Sequence, residues 1–149
     1  MSEAPSTKAP GRPWHVWMIG IVGGLWSVMG AISFVLTQLN VEAVMSQFPP
    51  QQREYFASFP IWADACWAIG VLGGVIGCLL LLLGKRLASH ALLASVIGTG
   101  VSSLGGLFLL GGMQVMGETD GLGLTVFPVA VAAGLALYAR AMSRRGVLG

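Results

Sequence analysis

The sequence predicts an all-α integral membrane protein: four transmembrane helices in an antiparallel bundle, with both termini cytoplasmic. Three observations carry that prediction. Only 9% of the 149 residues are charged and 55% are hydrophobic, against about 25% charged in soluble domains; the mean hydropathy is +0.79. Four apolar runs are long enough to cross a hydrocarbon core of about 30 Å, which takes about 20 residues of helix. The basic residues also fall on one side of those runs, as the positive-inside rule requires. One four-helix transmembrane domain is therefore expected over residues 15–140. A Pro-, Ser- and Ala-rich stretch at 1–14 reads as a disordered cytoplasmic tail, and 141–149 reads as a basic cytoplasmic tail.

The first span is expected at about 16–36, "VWMIGIVGGLWSVMGAISFVL". Its apolar length exceeds the ~7–15 residues of a signal-peptide core, and no A-x-A cleavage site follows, so it is kept as a span. An outer loop covers 37–60. Within it Pro49-Pro50 suits a helix start, and "QQREYFASF" is expected to form a short helix. Tyr55, Phe56, Phe59 and Trp62 are aromatic types found at the bilayer surface. Two readings of this helix stand: a segment lying in the interface, or an external cap over a ligand pocket. The second span is expected at about 61–83. The basic turn "GKR" leads to the third, at about 87–112, and the fourth lies at about 122–139. Pro128, inside the fourth, removes a backbone hydrogen bond and should kink the helix. Broken helices also occur at transport sites. Glu118 and Asp120 stand at the start of the fourth span, where negative charge suits a helix N-terminus.

Lys8, Arg12, Lys85, Arg86, Arg140, Arg144 and Arg145 all belong to one side; of the eight Lys and Arg, only Arg53 lies on the other. Glu42, Glu54, Asp64, Glu118 and Asp120 share the side of Arg53. This split orients the termini and the 85–86 turn to the cytoplasm. It also explains the net charge of +2 without a nucleic-acid partner, which would need a basic cluster on one folded surface.

Small residues recur at spacings of three, four and seven along the first three spans, which places each set on one stripe. Lipid tails are as apolar as leucine, so helices in a bilayer associate through the close approach that small residues permit. Gly20 and Gly24 in the first span, with Gly70, Gly74 and Gly77 in the second, are the candidate packing positions. The octets "WMIGIVGG" and "WAIGVLGG" match at five of eight positions. They suggest either an inverted repeat or convergence on an interfacial tryptophan followed by packing glycines.

Asp64 is the one carboxylate just inside an apolar run, and an acid in a span is by default a functional candidate. It lies three residues beyond Ile61, roughly 5 Å inside the apolar edge at 1.5 Å per residue. On a helical wheel it points away from the glycine stripe of its own span. His90, the other titratable residue within a span, lies near the opposite end, and only hydroxyls such as Ser95, Thr99 and Ser102 stand between them. Asp64 reads first as an interfacial residue and second as a substrate or proton site. Gln38 and Trp67, with Gln114 and Trp62, are the polar and aromatic groups available to a sugar-like ligand. Cys66 and Cys78 are twelve residues apart on one helix and cannot pair with each other. No metal-ligand spacing, nucleophile–base set or phosphate loop is present. No catalytic residue, metal or cofactor is expected.

The elements "LWSVMGA" (25–31), "TQ" (37–38), "MSQF" (45–48), "EYF" (54–56), "FPIW" (59–62) and "WAIGV" (67–71), followed by the Leu-rich run and basic turn, resemble a bacterial family of small four-span membrane proteins. Some of its members carry the label sugar transporter. In that pattern an acidic residue often follows "MGA" within two positions; here those positions hold Ile32 and Ser33. The resemblance covers roughly the first two thirds of the chain and implies the four-span architecture and a transporter label, with no catalytic residues; the missing acid weighs against any transport reading that needs one in the first span. From the residues, the first functional expectation is a non-enzymatic structural or interaction protein of the bacterial inner membrane. Its partners would be the bilayer and either a second copy or another membrane protein. The alternative is a small transporter-like protein for sugar or another small solute.

Overall fold

The computed structural model describes residues 11–149, so most of the expected N-terminal tail, residues 1–10, lies outside the described residues. Those described form α1 (Trp14–Gln38), α2 (Glu42–Met45), α3 (Pro50–Ala57), α4 (Ile61–Leu82), α5 (Leu87–Phe108), α6 (Gly112–Met116) and α7 (Glu118–Arg144). Four of them, α1, α4, α5 and α7, are long and apolar enough to cross a membrane. The protein is an all-helical, multi-pass membrane protein.

The helix ends explain where the boundaries fall. α1, α4 and α7 stop at left-handed residues, Asn40 (φ 51°), Gly84 (φ 72°) and Gly146 (φ 71°). After each, the next N–H reaches back five residues, to the carbonyls of Leu36, Leu80 and Met142 at 3.1, 2.8 and 3.1 Å. This is the Schellman closure, which satisfies carbonyls that a helix end leaves free. The third span ends at Phe108 rather than near 112, because left-handed Gly111 (φ 77°) breaks the helix and starts α6. The fourth is longer than its apolar core: Glu118 and Asp120 occupy its first turn and Arg144 its last, charges that favour those ends of the helix dipole. The C-terminal residues fold back. Leu148 is buried, the Gly149 N–H bonds the Gly84 carbonyl at 2.9 Å, and the Arg86 N–H bonds the Gly149 carbonyl at 3.1 Å.

α4 packs between α1 and α5, and α5 between α4 and α7, while α1 and α7 scarcely touch. The bundle is thus a ring of four helices with one loose seam. Glycines serve as sockets at the tight contacts. A Cβ at Gly77 would lie 2.5 Å from Cγ of Leu92, and one at Gly20 would lie 2.6 Å from a methyl of Leu82. At Gly70 it would lie 2.5 Å from the Thr99 hydroxyl, and at Gly74 2.8 Å from the Ser27 hydroxyl. A Cβ on Gly24 would make only an ordinary 3.7 Å contact, whereas its neighbour Gly23 receives Leu135 at 2.7 Å.

The two ends of the bundle differ. At the end carrying the 83–86 turn, Val16, Cys78, Leu81, Ala88, Leu92, Ala139, Met142 and Leu148 form a filled core. His15 and Tyr138 hydrogen-bond there across the seam, and Arg12 donates to the Leu82 carbonyl at 2.9 Å. The other end carries α2, α3 and α6, and beneath these caps the bundle is hollow.

Candidate functional site: a capped cavity between the spans

The hollow is a cavity of about 420 Å³ bounded by all four spans and by α3. Pockets that hold small ligands run from about 300 to 1,000 Å³. Its walls follow from helical spacing. On α5, Ser95, Thr99, Ser102 and Gly106 recur at four, three and four residues and so share one face, which lines the cavity. α1 contributes Ser27, Gly30, Ser33 and Thr37, and α4 contributes Trp67, Gly70 and Gly74. α7 contributes Thr125, Pro128 and Ala132. Pro128 has no N–H to give the Leu124 carbonyl one turn earlier, so an acceptor is released from the helix ladder beside the Thr125 hydroxyl.

The roof is aromatic. Phe48, Tyr55, Phe56 and Phe59 close the capped end. They stack edge to face or tilted, with ring centroids 5.0 Å apart for Tyr55–Phe59 and 5.6 Å for Phe48–Phe56. Trp67 continues the surface downward, 6.4 Å from Phe56 and 5.0 Å from Phe34. Tyr55 anchors the roof. Its hydroxyl sits over two glycines, and a Cβ at Gly106 or Gly112 would approach it to 2.8 or 2.7 Å. Burial raises the Tyr55 phenol above its ordinary value, because the anion would lose its hydration. The α3 helix thus covers one end of the hollow.

Some wall hydroxyls are spent within the protein: Ser27 donates to the Gly23 carbonyl at 2.8 Å and Ser95 to the Gly70 carbonyl at 2.6 Å. Among the described residues no sealed side-chain nitrogen or oxygen lacks a hydrogen-bond partner. Those hydroxyls without a bond inside the protein are therefore open to the cavity. The wall holds no Asp, Glu, Lys, Arg or His. It offers hydroxyls, aromatic faces and one released carbonyl, a set suited to an uncharged molecule with hydrogen-bonding groups.

Of the four polar or aromatic candidates from the sequence, Trp67 alone lines the cavity. Asp64 is half-buried in the first turn of α4, outside the wall, where the helix N-terminus favours its charge. Gln38, at the last position of α1, and His90, in the first turn of α5, are exposed and outside it. Gln114 is exposed, and Trp62 lies over Gly105, outside the wall. The sequence reading missed Ser33, Thr37 and Thr125 as wall residues. The signal for the first two was their place beside Gly30 at helical spacing; Thr125 had one in its position a turn before Pro128. Among the described residues no group of three or more His, Cys, Asp or Glu could hold a metal ion. No protein-family model, curated protein or solved structure matches the chain.

Proposed function

We propose that this is a small transporter-like protein of the bacterial inner membrane that binds one uncharged small molecule in its capped cavity. The observation that carries the reading is the cavity itself: about 420 Å³, walled by four spans and roofed by an aromatic cap, with no ionisable group but the Tyr55 phenol. A protein with a purely structural role has no use for such a hollow. Empty space between helices forfeits dispersion contacts, and contacts of that kind hold membrane helices together. Some members of the four-span family that the chain resembles carry a transporter label. The reading is non-enzymatic: serine and threonine hydroxyls line the wall, with no base in the wall to activate them. Charge asymmetry supports an orientation with the turn end in the cytoplasm and the cap outside.

Proton coupling through Asp64 has no support, since its carboxylate is outside the wall. The test is thermal melting of the purified protein against paired probes, neutral and charged versions of small glycosides and of hydroxylated amphiphiles. Binding to the folded state raises the melting temperature by mass action. A neutral probe should stabilise the protein, its charged counterpart should not, and Thr99→Phe, which fills the cavity, should abolish the effect. Equal response to both members of every pair, or to none, would refute the reading.

A further inference from the structure

The cavity has a locatable mouth. Of the residues lining it, those that are exposed are Met29 and Ser33 on α1 and Leu124 on α7. Every wall residue from α4, α5 and the cap is half-buried or buried. The opening therefore lies sideways, between the two spans that scarcely touch. Along the same seam, toward the turn end, runs an apolar groove of about 600 Å³, with Met18 and Val22 on one bank and Val131 and Gly134 on the other. Groove and cavity share Trp26 and Leu135, so only side chains divide them. At that divide Trp26 meets Phe127 edge to face, with ring centroids 5.2 Å apart. The two watery routes are obstructed. Tyr55 and its neighbours roof one end, and the filled core with the His15–Tyr138 bond closes the other.

We propose that the cavity is loaded from the bilayer through the α1/α7 seam, and that its ligand is an uncharged amphiphile. The apolar chain lies in the groove, and a hydroxylated head reaches the Thr99, Ser102 and Thr125 hydroxyls. This deepens the binding reading and rests on it. A molecule arriving at a mouth that faces hydrocarbon must itself dissolve there, which a charged head resists strongly and a free sugar, with many unpaired hydroxyls, resists as well. Once inside, its few oxygens find partners that lipid tails cannot offer. The continuity of an apolar groove with a hydroxyl-bearing pocket matches a molecule with those two parts. The contacts across the seam, the Trp26–Phe127 pair, the His15–Tyr138 hydrogen bond and Leu135 in the Gly23 notch, are few enough to part while α4 and α5 hold the rest of the ring.

The test uses the full chain in dioleoylphosphatidylcholine vesicles, with Trp67 as sole tryptophan (the others replaced by Phe) and Cys66 and Cys78 replaced by Ala. The probe is a monoacylglycerol with bromine on its acyl chain a few carbons from the glycerol, where it enters the cavity with the head and quenches Trp67 on contact; phosphatidylcholine brominated at the same chain position, at equal bromine content, is the comparison. The expected result is saturable quenching by the glycerol ester alone. A cleavable thiol cross-linker between Met29→Cys and Leu124→Cys, closed before the probe is added, should abolish that quenching. Cleaving the linker should restore it, which also shows that the protein remained folded. Quenching that persists across the closed seam would overturn lateral loading and leave the binding reading in place. Equal quenching by both lipids would mean that bulk lipid fills the seam, and would overturn the ligand class. Stabilisation by a soluble neutral glycoside without quenching by the ester would overturn the amphiphile and keep the cavity. If neither probe acts, both readings fail.

Discussion

Gly74 lies where α1, α4 and α5 converge, and a Cβ there would come within 2.8 Å of the Ser27 hydroxyl and 3.3 Å of that of Ser95. A leucine at this position cannot be accommodated by a rotamer change alone, because the obstacles lie on two neighbouring helices. Gly74→Leu should destabilise the bundle by at least the ~1–3 kcal/mol typical of overpacking. Leu72→Phe, at an exposed position of the same helix, should be nearly silent. Melting in detergent distinguishes them, and equal behaviour would mean that the α4 stripe is not a contact face. Asp64→Asn should leave ligand binding unchanged and melting nearly so; loss of binding in a folded variant would return Asp64 to the site. Tyr55 gives a pH signature. Its folded pKa is raised by burial, so its contribution is fully present below the ordinary tyrosine value of about 10 and is lost as pH rises through the raised one. Cap stability should therefore fall under alkaline conditions, and Tyr55→Phe should remove that part of the fall. An identical alkaline loss in the variant would assign it elsewhere.

At the scale of the element, α3 is held by aromatic side chains that sit in glycine notches on α5 and α6. Gly106→Val should push out Tyr55 and Phe59, whose hydroxyl and ring carbon, respectively, would meet the added Cβ at 2.8 and 3.2 Å. The expected readout is faster tryptic cleavage at Arg53, which lies exposed on α3; cleavage at the native rate would show that the cap is held by something else. The four spans were legible because an apolar run of bilayer length is a strong and local signal. The ends were less so. Gly111 lies inside an apolar stretch, and hydropathy does not register the left-handed turn that ends α5 there. The α5 hydroxyls were visible as a chain of polar groups, and their spacing already put them on one face. Their shared orientation toward a hollow was not visible, because that depends on how sparsely α1 and α7 touch beneath the cap. Asp64 drew attention by its charge, although its direction on the helical wheel already turned it from the packing stripe.

For the whole molecule, the excess of basic residues at the turn end predicts that this end faces the cytoplasm. Cysteines introduced at Asp120 and at Arg145, in a background with Cys66 and Cys78 replaced by Ala, should label from opposite sides of oriented vesicles, the former from outside. Labelling of both from outside would refute the topology. The molecule divides into a filled half at the turn end and a hollow half beneath the cap, and the binding reading depends on that hollow. Its most direct measurement is thiol reactivity inside it. With the native cysteines removed, Thr99→Cys and Ser102→Cys should react with the small uncharged reagent N-ethylmaleimide and resist a charged thiosulfonate. Leu92→Cys, in the filled core, should resist both. Failure of positions 99 and 102 to react any faster than position 92 would mean there is no accessible cavity. Equal reaction with the charged reagent would mean an open aqueous vestibule in place of a pocket for neutral molecules.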